Sequence, residues 1–326
     1  MIITQTPLRL SFFGGNTDFP DYYLKHGGCV LTTAIDKYIY CIVTQRFDKK
    51  IYINYSKKEI VNSVDEIEHE LVREALKKTG VENGVEITFL ADIPSEGSGL
   101  GSSSAVLVGV LNALHHFIGE TPSARQLAEE AVDIEVNILK KPIGVQDQYI
   151  AAFGGLRFIE FHPSNQVRAE RIELTNGIIH DINNQLMLFF TGKTRKSSSV
   201  LTKVKSSLVQ NEDLLYQTKL LTKKGYQLIK KHDLSNLGSL LDEGWRLKIS
   251  LSDGITNAEI NSMYQKAREA GALGGKIAGA GGGGFLLLVV PSDKRSRVRK
   301  ALGKFQELPF RLEIDGSKVI FSVRRY

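Results

Sequence analysis

The sequence predicts an α+β protein of two domains that share a cleft. Three observations carry that prediction. The chain has 326 residues, more than one hydrophobic core usually serves. Its apolar pattern changes from strand-like runs in the first ninety residues to a helical period after Gly101. Strands and helices then come in blocks rather than in regular β-α-β alternation.

Taken in order, Leu8-Arg9-Leu10-Ser11-Phe12-Phe13 runs into Gly14-Gly15 and reads as a strand, as do Cys29 to Val43 and Val85 to Leu90. Ser102 to Ile118, with Ala105, Val108 and Leu111 in a nearly all-apolar surround, predicts a buried helix. A second helix should start near Pro122, with Leu127, Ala131, Ile134 and Ile138 on one stripe, and stop at Pro142 and Gly144. A domain boundary is expected near Asn183, giving residues 1–183 and 184–326, with the strand Leu186 to Phe190 opening the second unit. Thr256 to Glu259 has the form of a capping box and opens a helix that runs to Gly271. Phe285 to Val290 is an apolar strand, and Phe310 to Val323 is expected to be a hairpin turning at Asp315-Gly316.

Composition narrows the function. Hydrophobic residues make up 42% and charged residues 24%, as in ordinary soluble domains. The net charge of +6 suits an anionic small molecule, while its densest stretch, Lys294 to Lys300, reads as a solvated helix face. No basic patch interleaved with aromatic platforms supports a nucleic-acid partner. Cys29 and Cys41 sit among apolar residues, which suits reduced core thiols in a cytoplasmic protein, and two cysteines without a histidine cluster make no zinc site. No signal-peptide pattern opens the sequence, and its longest apolar stretch, Phe285 to Val290, is too short to cross a membrane.

The strongest local signal is the loop Pro94, Gly97, Gly99, Leu100, Gly101, Ser102, Ser103, Ser104, set between a strand and a buried helix. Glycines let successive backbone N–H groups point inward at an anion, and the helix start brings its positive dipole end to the same place. The ligand this arrangement suits is phosphate; the alternative is a flexible loop ending in a serine N-cap. It has no Gly-Lys-Ser/Thr ending and lacks the glycine spacing of a dinucleotide-binding turn. The serine hydroxyls suit either helix capping or Mg²⁺ beside phosphates. Glu135 lies at the edge of its helix's apolar stripe, either facing a cleft or exposed. Asp147, after the break at Gly144, is a turn residue or the acceptor of a hydroxyl proton. Arg9, in an apolar strand, is a candidate cation to partner Asp147 unless it faces outward. A third glycine cluster, Gly274 to Gly284, implies close approach to a ligand or to another segment. Lys193, Arg195 and Lys196, and Arg246 with Lys248, are cations suited to a distal phosphate or to plain solvated surface.

Three glycine-bearing motifs in this order, with Glu135 and Asp147 between the second and third, resemble the GHMP kinases (galactokinase, homoserine kinase, mevalonate kinase, phosphomevalonate kinase). The likeness spans nearly the whole chain through five segments: Thr6–Tyr23, Val145–Gly155, Leu186–Gly192, Gly244–Asp253 and Ala267–Phe285. It implies an N-terminal α/β domain with a left-handed βαβ unit and a ferredoxin-like C-terminal domain. It implies that the serine loop holds ATP, that Ser103 and Glu135 reach Mg²⁺, and that Asp147 is the base assisted by Arg9. Asp18, with Gly15, Asn16, Gly144, Gly281 and Gly282, would face the sugar, and Lys193 and Arg246 its phosphate. The implied acceptor is the anomeric C1 hydroxyl of a heptose 7-phosphate, with fucose or galactose as alternatives. Gly15-Asn16 stand where galactokinase has Glu-His, which points away from galactose. A non-catalytic sugar sensor should lack Glu135 or Asp147, and both are present. A homodimer is left open.

Overall fold

The computed structural model describes residues 1–94, 97–193 and 197–323. Its N-terminal half is organised by two long strands, β1 (Ile2–Phe13) and β2 (Gly28–Gln45), joined through α1 (Pro20–His26). They pair antiparallel along nearly their whole length. There follow β3 (Ile51–Asn54), β4 (Lys58–Val61), α2 (Glu70–Thr79) and β5 (Val85–Ala91). β5 pairs antiparallel with the second half of β2 and parallel with β3, so the connection from β3 to β5 is a crossover through β4 and α2. Then come α3 (Ser102–Phe117), α4 (Ala124–Val132), α5 (Gln146–Phe153), β6 (Leu156–Phe161), β7 (Val167–Arg171) and α6 (Asn176–Gln185). β6 takes the first half of β2, so this one strand serves two neighbours on the same side.

The predicted buried helix is α3: its residues Ala105 to His115 are all buried. α4 begins at Ala124, capped by the Ser123 hydroxyl rather than at Pro122. Its continuation, Asp133–Ile138, is a π-helical turn. A wider turn breaks the 3.6-residue period, so Leu127, Ala131 and Ile134 are buried as the stripe predicts but Ile138 is 48% exposed.

The second half contains β8 (Leu186–Phe190), α7 (Ser197–Ser206), α8 (Glu212–Lys230), α9 (Leu237–Ile249), α10 (Ala258–Glu269), β9 (Gly274–Ile277), β10 (Phe285–Val289) and α11 (Arg295–Ala301). The cap of α10 is Asn257, which accepts from the Ile260 N–H, not Thr256. A sheet is formed in the order β8-β10-β9. Backbone bonds from Phe190 N–H to Gln306 O and from Leu308 N–H to Leu188 O, both 2.8 Å, add residues 306–308 on the free side of β8. That is the strand order of a ferredoxin-like sheet, with its last strand reduced to one bridge.

Both faces of this sheet are covered, which explains the unbroken apolar runs of β8 and β10. Leu186, Leu188, Leu287 and Val289 face one core, continuous with the first half. Met187, Phe189, Leu286 and Leu288 alternate into a second core, which Phe19 and Tyr22 also enter from the N-terminal half. The expected hairpin over Phe310 to Val323 does not form. β11 (Lys318–Ser322) instead pairs antiparallel with β1, at the far edge of the first sheet.

Candidate active site

A cleft of about 1170 Å³ lies between the two halves. Its walls come from the end of β1, the starts of α3 and α5, the π-helical turn, α9, and the glycine loop before β10.

The serine loop forms one wall. Gly101, with φ 79°, is the residue before α3, and no side chain caps that helix. Its first N–H groups therefore lack the usual side-chain partner. The serines are engaged elsewhere, which removes the serine N-cap reading. Ser102 pairs with Ser98 at 3.0 Å. Ser103 and Ser104 donate to Glu135 Oε1 at 3.0 Å and Oε2 at 2.6 Å. Pro94 and Gly97 line the cleft, while the Leu100 side chain is buried in the core and its carbonyl accepts from the Arg9 N–H at 2.9 Å. Ser95 and Glu96 lie outside the described residues.

The third glycine cluster approaches another segment. A Cβ on Gly99 would meet Ala278 O at 2.5 Å, and one on Gly279 would meet Gly99 Cα at 2.6 Å. Side chains cannot sit between these two loops, so the C-terminal loop braces the serine loop from behind.

Glu135 is 1% exposed and also accepts from Gln148 Nε2 at 2.5 Å. Lys141 Nζ stands 3.7 Å from it. Burial pushes its carboxyl pKa up, against the lowering effect of Lys141 and of the three donors.

Asp147 lies in the first turn of α5, not in a loop. Both of its oxygens accept from Arg9, from Nε at 2.7 Å and Nη2 at 2.6 Å, while Nη1 donates to Gly99 O at 2.5 Å. The Arg9 side chain is 8% exposed and that of Asp147 23%. Arg9 thus faces inward, and each of its three nitrogens makes a hydrogen bond.

Asp18 is buried. Its Oδ1 accepts from the Asn16 N–H at 2.9 Å, with Asn16 in the left-handed region at φ 78°. Oδ2 accepts from the backbone and side-chain nitrogens of Gln146 at 3.2 and 3.1 Å. Gly144 is required here, because a Cβ would stand 2.0 Å from Oδ2. Burial first, and the charge of Asp147 second, raise the Asp18 pKa to about 6.

Gly15, Asn16, Asp18, Gly144, Ser103, Glu135, Asp147 and Arg9 therefore converge on one cleft. Gly281 and Gly282 do not line it, and their loop turns toward Ile255. Lys193 and Arg246 are also elsewhere, 60% and 77% exposed and paired with Glu259 and Asp242. Arg195 and Lys196 lie outside the described residues. Of the cations considered from sequence, Lys248 does line the cleft, joined by Lys276, Lys141 and Gln146, which sequence reasoning did not single out, and neither did it single out Gln148, buried behind Glu135. Cys29 and Cys41 are free and buried, burial pushing the Cys29 thiol up to about 12.

An uncapped helix start beside a carboxylate held by an arginine, in a cleft between the two halves, is suited to a small-molecule phosphotransferase. The comparisons agree. The chain matches the GHMP kinases N terminal domain over residues 67–155 and the GHMP kinases C terminal over residues 226–307. It is 32% identical over 322 residues to the D-glycero-alpha-D-manno-heptose 7-phosphate kinase of Campylobacter jejuni, with 94% of each chain covered. It is 28% identical to the bifunctional fucokinase/GDP-fucose pyrophosphorylase of Arabidopsis thaliana, covering 93% of this chain and 31% of that one. The crystal structure of a D-glycero-D-manno-heptose 1-phosphate kinase from Bacteriodes thetaiotaomicron shares the fold, with a TM-score of 0.83 at 24% identity and both chains fully covered. The chain belongs to the GHMP kinase family. Among its described residues, no helix is long and apolar enough to cross a membrane.

Proposed function

We propose that this ATP-dependent sugar kinase phosphorylates the anomeric C1 hydroxyl of D-glycero-D-manno-heptose 7-phosphate, giving the 1,7-bisphosphate. The observation that carries the reading is the two-point Arg9–Asp147 pair beside the uncapped start of α3. The α3 N-terminus and the loop from Gly97 to Gly101 receive the ATP phosphates. Tyr55, His69 and Phe89, whose rings pack at centroid distances of 4.8 and 6.0 Å at the cleft wall, suit the adenine.

Mg²⁺ fits the donor set. Among the described residues no group of three or more His, Cys, Asp or Glu side chains is assembled for a metal. One carboxylate, Glu135, and one hydroxyl, Ser103, are hard oxygen donors of the kind that share Mg²⁺ with phosphates and water. Bound there, the ion would neutralise charge on the polyphosphate.

Asp147 accepts the C1 hydroxyl proton as that oxygen bonds to the terminal phosphorus and the bond from phosphorus to the bridging oxygen breaks, releasing ADP. Arg9 fixes the carboxylate's orientation and balances its charge. Asp18 and Asn16 hold sugar hydroxyls, and Gly144 leaves room for Asp18. The fucokinase likeness supports a second reading, in which fucose is the acceptor.

A panel of heptose 7-phosphate, fucose, galactose and mevalonate with ATP, read by ADP release and by the position of the new phosphate, tests the assignment. Heptose 7-phosphate should give the highest kcat/KM and a product phosphorylated at C1. A higher value for fucose, or phosphorylation elsewhere on the heptose, refutes it.

A further inference from the structure

Lys248 and Lys276 are two ammonium groups in the cleft for which the chemistry above has no use. Lys276, on β9, donates to Ser11 O at 2.9 Å and Phe12 O at 3.0 Å. Lys248, on α9, donates to Ile277 O at 3.2 Å and to Gly279 O. Each Nζ carries three N–H donors and spends two on carbonyls, leaving one apiece. Neither forms an ion pair with a carboxylate among the described residues. The nearby carboxylates are already engaged: Asp147 gives both oxygens to Arg9, and Asp18 gives its own to Asn16 and Gln146. The Ser11 hydroxyl, on the same wall, has no hydrogen-bond partner among the described residues.

Burial is the first cause that lowers both lysine pKa values, with Arg9 adding repulsion to each and Lys276 adding its own to Lys248. Lys276 is drawn to about 7, although Asp18 pulls the other way. These two amines give up their protons readily, and a dianion seated between them and near Arg9 would hold both in the charged form.

We infer that Lys248 and Lys276 form the subsite for the acceptor's own phosphate, a monoester dianion, and this rests on the sugar-kinase reading above. The nucleotide's phosphates already have the α3 start and the Glu135–Ser103 pair. Lys276 hangs instead from the β1 carbonyls that lead into the Gly14–Asp18 segment, and Lys248 reaches in from the C-terminal half. Exposed Arg246, two residues before Lys248, is excluded by its pairing with Asp242.

Either substitution strands two carbonyls, Ser11 and Phe12 O for Lys276 and Ile277 and Gly279 O for Lys248, but Lys276 is the more buried residue, so Lys248→Met carries the test, with a melting curve to show that the variant folds. The readout is the preference for heptose 7-phosphate over free heptose, taken as the ratio of the two kcat/KM values. That ratio should fall about 100-fold in the variant, as loss of one charge-assisted contact predicts. An unchanged ratio, or a variant whose main defect is a raised KM for ATP, overturns the subsite. A second measurement is independent of the sugar. Orthophosphate is titrated calorimetrically into protein saturated with a nonhydrolysable ATP analogue. Wild type should bind it at least tenfold more tightly than Lys248→Met, and equal binding overturns the subsite. A wild type that turns over free and phosphorylated heptose equally refutes the acceptor assignment, while the orthophosphate result still decides whether the lysines hold an anion.

Discussion

Replacing Asp147 by asparagine separates the chemistry from binding. The variant keeps the shape of the side chain but removes the proposed proton acceptor. With Arg9 Nε and Nη2 at 2.7 and 2.6 Å, the new amide must turn its nitrogen toward one guanidinium N–H, so one of the two contacts becomes donor against donor. A positioned general base contributes about 10²–10⁴-fold to a rate, equivalent to about 3–5 kcal/mol of barrier. The cost to folding should be smaller. The Asp147 side chain is 23% exposed, so stranding Arg9 should cost about 1–3 kcal/mol rather than the full penalty of a buried pair. A second effect is specific to this arrangement. Asp18 sits at about 6 partly because of the negative charge of Asp147. As the pH falls through that value Asp18 takes up a proton and stops accepting from sugar hydroxyls, so the KM for sugar should rise on the acid side. Without the Asp147 charge, Asp18 holds its proton less tightly and the limb should move to lower pH. Turnover is measured by coupled ADP release and nucleotide affinity by calorimetry. The expected result is a loss of at least 100-fold in kcat, nucleotide Kd within threefold of wild type, and an acid limb shifted downward. Turnover within tenfold of wild type refutes Asp147 as the base.

Two further substitutions address the other assignments. Glu135→Gln should abolish most of the gain in ATP-analogue affinity that Mg²⁺ confers; calorimetry with and without the ion checks this, and an undiminished gain removes Glu135 from the metal site. Gly144→Ala places a methyl group 2.0 Å from Asp18 Oδ2 and should cost about 1–3 kcal/mol of stability by overpacking. It should also raise the KM for sugar at least tenfold with the KM for ATP within twofold. A melting curve and initial rates measure both, and an unaltered sugar KM would show that Asp18 does not face the acceptor.

Much of the site could be read from the sequence because glycine and charge punctuate it. Arg9 stood out as a guanidinium inside an apolar strand, and the serine loop as a glycine run opening an apolar helix. What could not be read has physical reasons. Gln146 and Gln148 carry neither charge nor periodicity, so nothing local marks them as the partners of Asp18 and Glu135. The stripe over Leu127 to Ile138 assumed a constant helical period, which the π turn at Asp133–Ile138 violates. The Asp315-Gly316 signal is local, but the partner that captures the last strand is β1, at the other end of the chain. Residues 315 and 316 instead pack against Gly154, where a Cβ would meet Asp315 C at 2.1 Å. Lys276 was visible only as one residue in a glycine-rich run, with no sign that its ammonium group would be buried.

Gln146, Asp147 and Gln148 fan out around a single helical turn of α5 to grip Asp18, Arg9 and Glu135 respectively. In the proposed function, acceptor recognition, proton removal and metal placement are thus bolted to the same few ångströms of backbone. Retuning one of them at this turn would disturb the other two together. Laboratory evolution toward a new sugar should leave this triplet untouched and gather its changes in the segment after β1, where the acceptor can be altered without moving the machinery that reacts with it.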